Sequence, residues 1–457
     1  MILRALFLCF PEIDAKAKFV LLGFMLRYGE REALPASTAR RAEELGLSSG
    51  DLRGGLERLV REGYLVEEVF DAHQVGRPKR IFSVSKQLVE CLSGGEEAVI
   101  HCDLVRRVIK GPEVLAVRPS ENQAIPKRGE RLVWIDEKPV PKRGNRLSLA
   151  NRLLLAVLFA HADAFGVVRR LSHTDLCRLS GIEAKSLKQR VRKLIALGYI
   201  RRHVPGCASP LFQRKLKSVY LMNLAHPQLK ARVVPVLLHE SQTRLDSENK
   251  YVRGLMVDVL TREKFGGGSF LTPPSILSRF LKEPLAVFSQ LDFHLCCWAS
   301  ELLACQVGDT DGRAIVRGSI VHLLRASTLC ARTEAGILGP PQSKELREHD
   351  DWEALVDYFF YQACQLADEC QDRFGDFVEM PLDYRDLMLA PTALSEGNRC
   401  MALLTRKGGT QIGERCLVIS ETADSRRSRW YPHDADINAS LLFKCGLLEK
   451  AAGESIA

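Results

Sequence analysis

Basic side chains recur along one side of a predicted helix near the middle of the chain. The residues on this side combine cations with hydrogen-bonding groups: Lys185, Ser186, Lys188, Gln189, Arg192 and Lys193. Lysine and arginine pair with phosphate groups, and arginine, lysine and glutamine also hydrogen-bond the edges of bases. The segment that follows adds further cations: Arg201, Arg202, Arg214, Lys215 and Lys217. These residue types at this spacing predict the binding of a polyanion rather than catalysis.

The same helix pattern occurs a second time, 135 residues earlier in the chain. Residues 46–65 and 181–200 align without a gap and share one apolar skeleton, whose spacing is that of one helix face. Both copies end at a glycine, Gly63 or Gly198, which predicts a left-handed residue at the helix end. The chain therefore contains a structural repeat.

Each copy lies within a larger predicted set of helices and strands. For the first copy these are helices at 18–28 and 38–45 and strands at 64–69 and 81–84. For the second copy they are helices at 153–162 and 174–179 and strands at 199–204 and 216–221. The predicted order in both copies is helix, helix, tight turn, helix, strand, loop and strand.

Both copies resemble the winged-helix family of bacterial DNA-binding domains, and residues 76–84, GRPKRIFSV, are similar to the wing of several repressor families. The resemblance covers residues 15–88 and 149–223, and it implies helices with small β wings. It also implies that the helix after the tight turn enters the major groove of double-stranded DNA while the wing grips phosphates. In the first copy it places these residues at the DNA: Ser49, Arg53, Arg77, Lys79 and Arg80.

The two copies are not equally basic. In the first copy acidic residues such as Glu57 offset the cations, and Gly54 and Gly55 lie in the middle of the helix, where each costs about 1 kcal/mol relative to alanine. Either the backbone approaches another element closely there, or the first helix binds DNA more weakly than the second.

The net charge of +9 is unevenly distributed along the chain. Lys and Arg number 14 against 15 Asp and Glu in residues 1–100, 29 against 12 in residues 101–250, and 22 against 29 in residues 251–457. A basic balance confined to the central segment predicts that this segment binds a polyanion, which the acidic C-terminal part would repel.

A PKRGxRL element occurs twice between the two copies, at residues 126–132 and 141–147. Proline and glycine disfavour helix, so we expect extended basic arms on either side of a short strand at 132–135. In one interpretation Lys127, Arg128, Lys142 and Arg143 contact a minor groove or phosphates. In the other they keep a linker solvated. The residues alone favour neither.

The sequence predicts a mainly α-helical protein with several domains. We expect a first winged-helix domain at 1–92, a basic linker at 93–147, a second winged-helix domain at 148–225, a linker at 226–274, a helical domain at 275–390 and a small α+β tail at 391–457. No apolar run approaches the ~20 residues that span a bilayer, and the apolar N-terminal run is too short for a secretory signal. We therefore expect a cytoplasmic protein that does not enter membranes.

A long helix is predicted over residues 343–374. Its broad apolar stripe contains Leu355, Phe359, Ala363 and Leu366. Such a stripe usually packs into a core, and the alternative is a homodimer interface.

We predict no catalytic residue, metal site or cofactor. His322 to Arg325 matches the HxxR element of tyrosine recombinases, but the expected upstream arginine box is missing. The 14 cysteines include no CxxC pair and fit reduced, buried thiols.

Three functional hypotheses remain open. The first is a transcriptional regulator that binds double-stranded DNA and uses its C-terminal region for dimerisation or a protein partner. The second is a replication initiator or another DNA-processing protein of mobile elements, although initiators have a shorter connection between their two heads. The third is an adaptor whose winged helices bind protein, for which the neutral first copy is the natural candidate.

Overall fold

The computed structural model describes most of the 457-residue chain in two compact units. The described residues are 3–29, 37–70, 79–94, 98–111, 133–135, 138–140, 147–229, 235–245, 251–264, 277–278, 280–305, 310–324, 343–375, 382–391, 397–406, 415–422, 425–445 and 447–448. Unit 1 contains Met1–Ile200 and Leu221–Ala231, and unit 2 contains Arg201–Tyr220 and Arg232–Lys450. The described residues are mainly helical with small sheets, which confirms the predicted fold class at this level. None of their helices is long and apolar enough to cross a membrane.

Unit 1 is built mostly from helices. They are α1 (Ala15–Tyr28), α2 (Thr38–Glu44), α3 (Ser49–Arg61), α4 (Lys86–Ser93), α5 (Cys102–Lys110), α6 (Leu149–Ala160), α7 (His173–Ser180) and α8 (Ala184–Ala196). Helices α3 and α8 are the two predicted repeat helices. Both contain 13 residues and they begin 135 positions apart, so the predicted alignment is confirmed.

Short strands accompany these helices. Strands β1 (Leu65–Phe70) and β2 (Lys79–Val84) form an antiparallel hairpin, as do β3 (Val133–Ile135) and β4 (Lys138–Val140). Strands β5 (Val167–Val168), β6 (Ile200–Val204) and β7 (Val219–Met222) form a three-stranded sheet in the order β5, β7, β6. The boundary between the two units passes through β6 and β7.

The two copies share backbone turns at equivalent positions. Gly63 and Gly198 have φ angles of 74° and 79°, which confirms the predicted left-handed helix ends. The turns before α3 and α8 also use left-handed glycines, Gly46 at 63° and Gly181 at 64°. An L side chain is strained in this conformation, so these glycines fix the entry and exit of both helices.

Helices α1 and α6 form the centre of unit 1. Both are buried around most of their circumference, and α1 packs against α3, α5 and α6. The two copies therefore share one core.

A buried lysine ties the two copies together. The Nζ of Lys18, in α1, donates to the carbonyl oxygens of Leu8 at 2.7 Å and Leu179 at 2.5 Å. Leu179 lies at the end of α7, in the second copy. The side chain of Lys18 is buried, and desolvation lowers its pKa to about 7.

A buried arginine fixes α5 against α6. Arg152 donates to the carbonyl oxygens of Val108 at 2.9 Å and Ile109 at 2.8 Å, near the C-terminal end of α5, where backbone carbonyls lack helical partners. Its guanidinium lies 4.7 Å from the ring centre of Phe19. The predicted basic linker at 93–147 thus contains a helix that belongs to the unit 1 core.

Unit 2 combines helices with one five-stranded sheet. The helices are α9 (Tyr251–Lys264), α10 (Leu285–Ala304), α11 (Thr310–Leu324), α12 (Ser343–Phe374) and α13 (Ala439–Lys444). The strands are β8 (Val236–Leu245), β9 (Leu387–Ala390), β10 (Gly397–Thr405), β11 (Cys416–Glu421) and β12 (Arg426–Tyr431). They lie in the order β12, β11, β8, β10, β9, and β8 is parallel to β11 but antiparallel to β10.

This sheet corrects the predicted domain boundaries. The predicted linker at 226–274 contains β8, the central strand, and the predicted tail at 391–457 supplies β10, β11 and β12 to the same sheet. The apolar run Val236-Leu237-Leu238 is fully buried, and it pairs with β10 on one side and β11 on the other, both from the distant C-terminal segment. The helical domain and the tail are therefore one unit.

The apolar stripe of α12 lies inside unit 2. Leu355, Phe359, Ala363 and Leu366 are buried in its core, and α12 packs against α10 and α11. The core interpretation is confirmed, and this stripe is not available as a dimer interface.

Candidate nucleic-acid interface

Helix α8 has one apolar and one polar face. Leu187, Val191 and Leu194 are buried against unit 1, in the i, i+4, i+7 pattern of a packed face. On the opposite face the predicted DNA-contacting residues are exposed, and only Ser186 is half-buried: Lys185, Ser186, Lys188, Gln189, Arg192 and Lys193. The fold therefore brings these six side chains together on one helix surface.

Two neighbouring side chains set the character of this surface. Arg190 is half-buried and donates to Asn151 at 2.9 Å and Ser148 at 3.3 Å, so it holds α8 against α6 instead of pointing outward. Glu183 precedes the helix and lies 3.0 Å from the Nζ of Lys185. Both side chains of this ion pair are largely exposed, so it is weak and Lys185 can exchange Glu183 for another anion.

Helix α3 presents a different surface on the same scaffold. At equivalent exposed positions α3 has Gly50 in place of Lys185, Arg53 in place of Lys188, Gly54 in place of Gln189 and Glu57 in place of Arg192. Ser49 is also exposed. Residues 13–65 and 148–200 each contain nine Lys and Arg, but the first copy has eight Asp and Glu and the second has three. The asymmetry therefore comes from acidic residues.

The two mid-helix glycines of α3 have different explanations. A Cβ on Gly55 would lie 2.6 Å from Cγ2 of Val20, so α3 and α1 pack too closely for any other residue there. A Cβ on Gly54 would meet nothing within 4 Å. Close backbone approach accounts for Gly55, whereas Gly54 leaves a bare patch on the exposed face.

The first wing is the β1–β2 hairpin. Arg80 is exposed and its Nη1 lies 3.0 Å from Glu67 of the facing strand, which offsets its charge. Arg41, which is buried, donates to the carbonyl oxygen of Arg80 and fixes the hairpin to α2. Lys79 begins β2, and Arg77 lies outside the described residues.

The basic residues that follow α8 do not form a free wing. Arg201 and Arg202 are buried in unit 2: Arg201 donates to the Asp434 carboxylate at 2.6 Å, and Arg202 donates to the carbonyl oxygen of Pro391. Burial alone would raise the pKa of the Asp434 carboxyl, but Arg201 and His433 hold it at about 2. The prediction that Arg201 and Arg202 contact DNA is therefore wrong.

The loop between β6 and β7 is also anchored in unit 2. Phe212 is buried in the unit 2 core, and Nε2 of Gln290 donates to the carbonyl oxygens of Pro205 at 2.9 Å and Lys217 at 3.0 Å. The side chains of Arg214, Lys215 and Lys217 are exposed, but they belong to unit 2 and not to the unit that carries α8.

Some predicted positions are not described, and the prediction omitted an exposed cation of α7. Lys127, Arg128, Lys142 and Arg143 of the PKRG elements lie outside the described residues. Arg178 of α7 is exposed three residues before Gly181. The amphipathic pattern of α7 marks it as outward-facing, and this signal is present in the sequence.

The described residues contain no cluster of three or more His, Cys, Asp or Glu that could hold a metal ion. Cys296, Cys297, Cys370, Cys400, Cys416 and Cys445 are buried thiols. His322 lies in α11, whereas Arg325 of the HxxR element lies outside the described residues.

The chain matches no protein-family model, no curated protein and no solved structure.

Proposed function

We propose that this protein binds double-stranded DNA through α8, as a winged-helix domain does, and that it acts as a bacterial transcriptional regulator. The supporting observation is the exposed face of α8, on which Lys185, Lys188, Arg192 and Lys193 surround Gln189. Glu183 is the single acidic residue of 181–200. Such a surface neutralises phosphates and offers glutamine, lysine and arginine donors to base edges.

The position of α8 supports insertion into a major groove. The left-handed Gly181 turns the chain from α7 into α8, and Lys185, Lys188 and Gln189 lie in the N-terminal half of the helix. This half reaches the bases when the second helix of a helix-turn-helix enters the groove. Cations further along, such as Arg192, then face the phosphate backbone.

The first copy has the same order of helices but a neutral face, and we assign it a supporting role. The exposed positions of its helix α3 carry Arg53 and Glu57 beside Gly50 and Gly54, so they neutralise few phosphates. This observation favours a protein-binding role for the first copy alone. We assign unit 2 to oligomerisation or partner binding. We also propose that the protein is cytoplasmic and that it has no enzymatic activity and no cofactor.

Matched double substitutions in full-length protein test the proposal. Lys188→Ala with Arg192→Ala removes two cations from α8, and Arg53→Ala with Arg61→Ala removes two exposed cations from α3. We expect the first pair to weaken binding to duplex DNA selected from a random pool by about 10- to 100-fold, and to reduce the slope of log K against log salt by about 2.

The α3 pair is the control and should change the affinity less than about threefold, because Glu57 and Glu62 already offset its cations. Fluorescence anisotropy over a range of salt concentrations measures both quantities. Equal effects of the two pairs, or affinity that does not depend on salt, would show that α8 is not the DNA-binding helix.

A further inference from the structure

Strand β12 forms one edge of the unit 2 sheet and carries the sequence RRSRWY. Its pairing with β11 places Arg426 opposite Glu421, Arg427 opposite Ser420, Arg429 opposite Val418 and Trp430 opposite Leu417. Side chains opposite each other share a face, so Arg427 and Arg429 lie on one face of the sheet and Trp430 on the other. This strand lies outside the surface assigned to duplex DNA above.

Arg426 has a structural role that the other two arginines do not share. Its guanidinium donates to the carbonyl oxygens of Arg373 and Asp372 near the C-terminal end of α12. This contact fixes the start of β12 against the core of unit 2. Arg427 and Arg429 are exposed one and three residues later, on a strand that is thereby held in place.

The exposed side chains combine two cations with an aromatic ring. Arg427 and Arg429 are two residues apart, which separates them by ~7 Å along a strand. Trp430 is 41% exposed between Arg429 and Tyr431, and the Arg429 guanidinium lies 5.1 Å from the ring centre of Tyr431. This contact turns the guanidinium towards Tyr431, on the face of the sheet opposite Trp430.

Edge protection alone does not explain this composition. Charged residues on edge strands prevent pairing with other chains, and two arginines serve that purpose. An exposed tryptophan acts in the opposite direction, because it adds apolar surface to the edge. Cations that hold a phosphate backbone and an aromatic ring on which a base stacks are instead the two components of single-strand recognition, and a nucleic-acid strand that runs along this edge meets both faces of β12. In a duplex the bases are already stacked on each other and are not available to Trp430.

We propose that β12 binds single-stranded nucleic acid, with Arg427 and Arg429 on the phosphates and Trp430 stacked against a base. This second activity is independent of the duplex binding assigned to α8. Unit 2 thereby has a ligand of its own. Single strands of this kind are present where duplex DNA is melted.

Intrinsic tryptophan fluorescence in the full-length protein tests the proposal. Titration with oligothymidylate should quench the fluorescence, and added salt should reverse the effect. Trp430→Phe should abolish the quench but retain most of the binding, and Trp430→Leu should weaken binding by about 5- to 100-fold. Arg427→Ala with Arg429→Ala should weaken it by at least 10-fold.

Matched variants separate this proposal from the one for α8. Lys282→Ala with Arg313→Ala removes the same charge from exposed positions of unit 2 outside β12 and should bind oligothymidylate as the wild type does. Lys188→Ala with Arg192→Ala should also bind it normally. A wild-type protein whose tryptophan fluorescence does not respond to oligothymidylate overturns the proposal. So does a β12 double variant that loses duplex binding and single-strand binding equally, because β12 would then be a general phosphate contact.

Discussion

Lys18 provides the sharpest prediction about the core that joins the two copies. Its ammonium group is buried and held by carbonyl oxygens of Leu8 and Leu179, and desolvation lowers its pKa from 10.5 to about 7. The unfolded chain keeps the ordinary value. Between pH 7 and pH 10.5 the unfolded state therefore binds more protons than the folded state, and the stability contribution of Lys18 rises with pH across this window.

The magnitude follows from the difference between the two pKa values. Protonated Lys18 lowers the free energy of unfolding by about 5 kcal/mol relative to the neutral form, and about 2 kcal/mol of this is recovered between pH 7 and pH 9. Lys18→Met removes the titrating group and keeps the length of the side chain. As the pH rises from 7 to 9, the free energy of unfolding of the wild type should thus increase by about 2 kcal/mol relative to that of Lys18→Met.

The assay is amide hydrogen exchange in urea, read by mass spectrometry on peptides from α1 and α6, which reports the opening of unit 1 itself. The control is Lys16→Met. Lys16 lies on the same helix, and its side chain is 66% exposed and 3.4 Å from Asp51. Because this ion pair is exposed, Lys16→Met should change the free energy of unfolding by less than about 1 kcal/mol at every pH. A difference between wild type and Lys18→Met that stays constant from pH 7 to pH 9, or that falls, would refute the argument from burial.

Two further substitutions test particular contacts. Gly55→Ala should destabilise unit 1 by about 1–3 kcal/mol, because its Cβ would meet Val20, whereas Gly54→Ala should stabilise α3 by about 0.5–1 kcal/mol; urea unfolding compares the two. Asp434→Asn should destabilise unit 2 by about 3–5 kcal/mol, because it breaks the buried pair with Arg201. The wild-type unfolding free energy should also fall as the pH drops from about 4 towards 2, where the folded Asp434 takes up its proton, and Asp434→Asn should lack this dependence; thermal unfolding over that pH range measures it.

Local features of this fold are readable from the sequence. The apolar spacing of α3 and α8 and the glycines that end them predict the helices at their observed positions, because helix periodicity and left-handed glycines depend on near neighbours only. The exposed face of α8 follows from the same periodicity. The bounds of α12 are also those predicted, since a long amphipathic pattern requires no distant partner.

Features that depend on residues distant in the sequence could not be predicted. In the sequence Arg201 has the position of a wing cation, but in the fold it is buried in an ion pair with Asp434, which lies 233 residues away. Strand β8 resembles part of a linker until β10 and β11 flank it. Gly55 has a visible cause only once Val20 of α1 lies against it. In each case a tertiary contact determines the position of the residue, and the spacing of neighbouring residues does not predict that contact.

We propose that two similar scaffolds carry unequal surfaces and that α8 is the one that binds DNA. A reciprocal charge exchange at equivalent positions tests it most directly: Arg192→Glu gives α8 the residue of α3, and Glu57→Arg gives α3 the residue of α8. Anisotropy with one selected duplex at fixed salt should show a loss of at least 10-fold for Arg192→Glu and a gain of less than about threefold for Glu57→Arg. A large gain for Glu57→Arg together with an unchanged affinity for Arg192→Glu would show that α8 is not the helix that binds DNA.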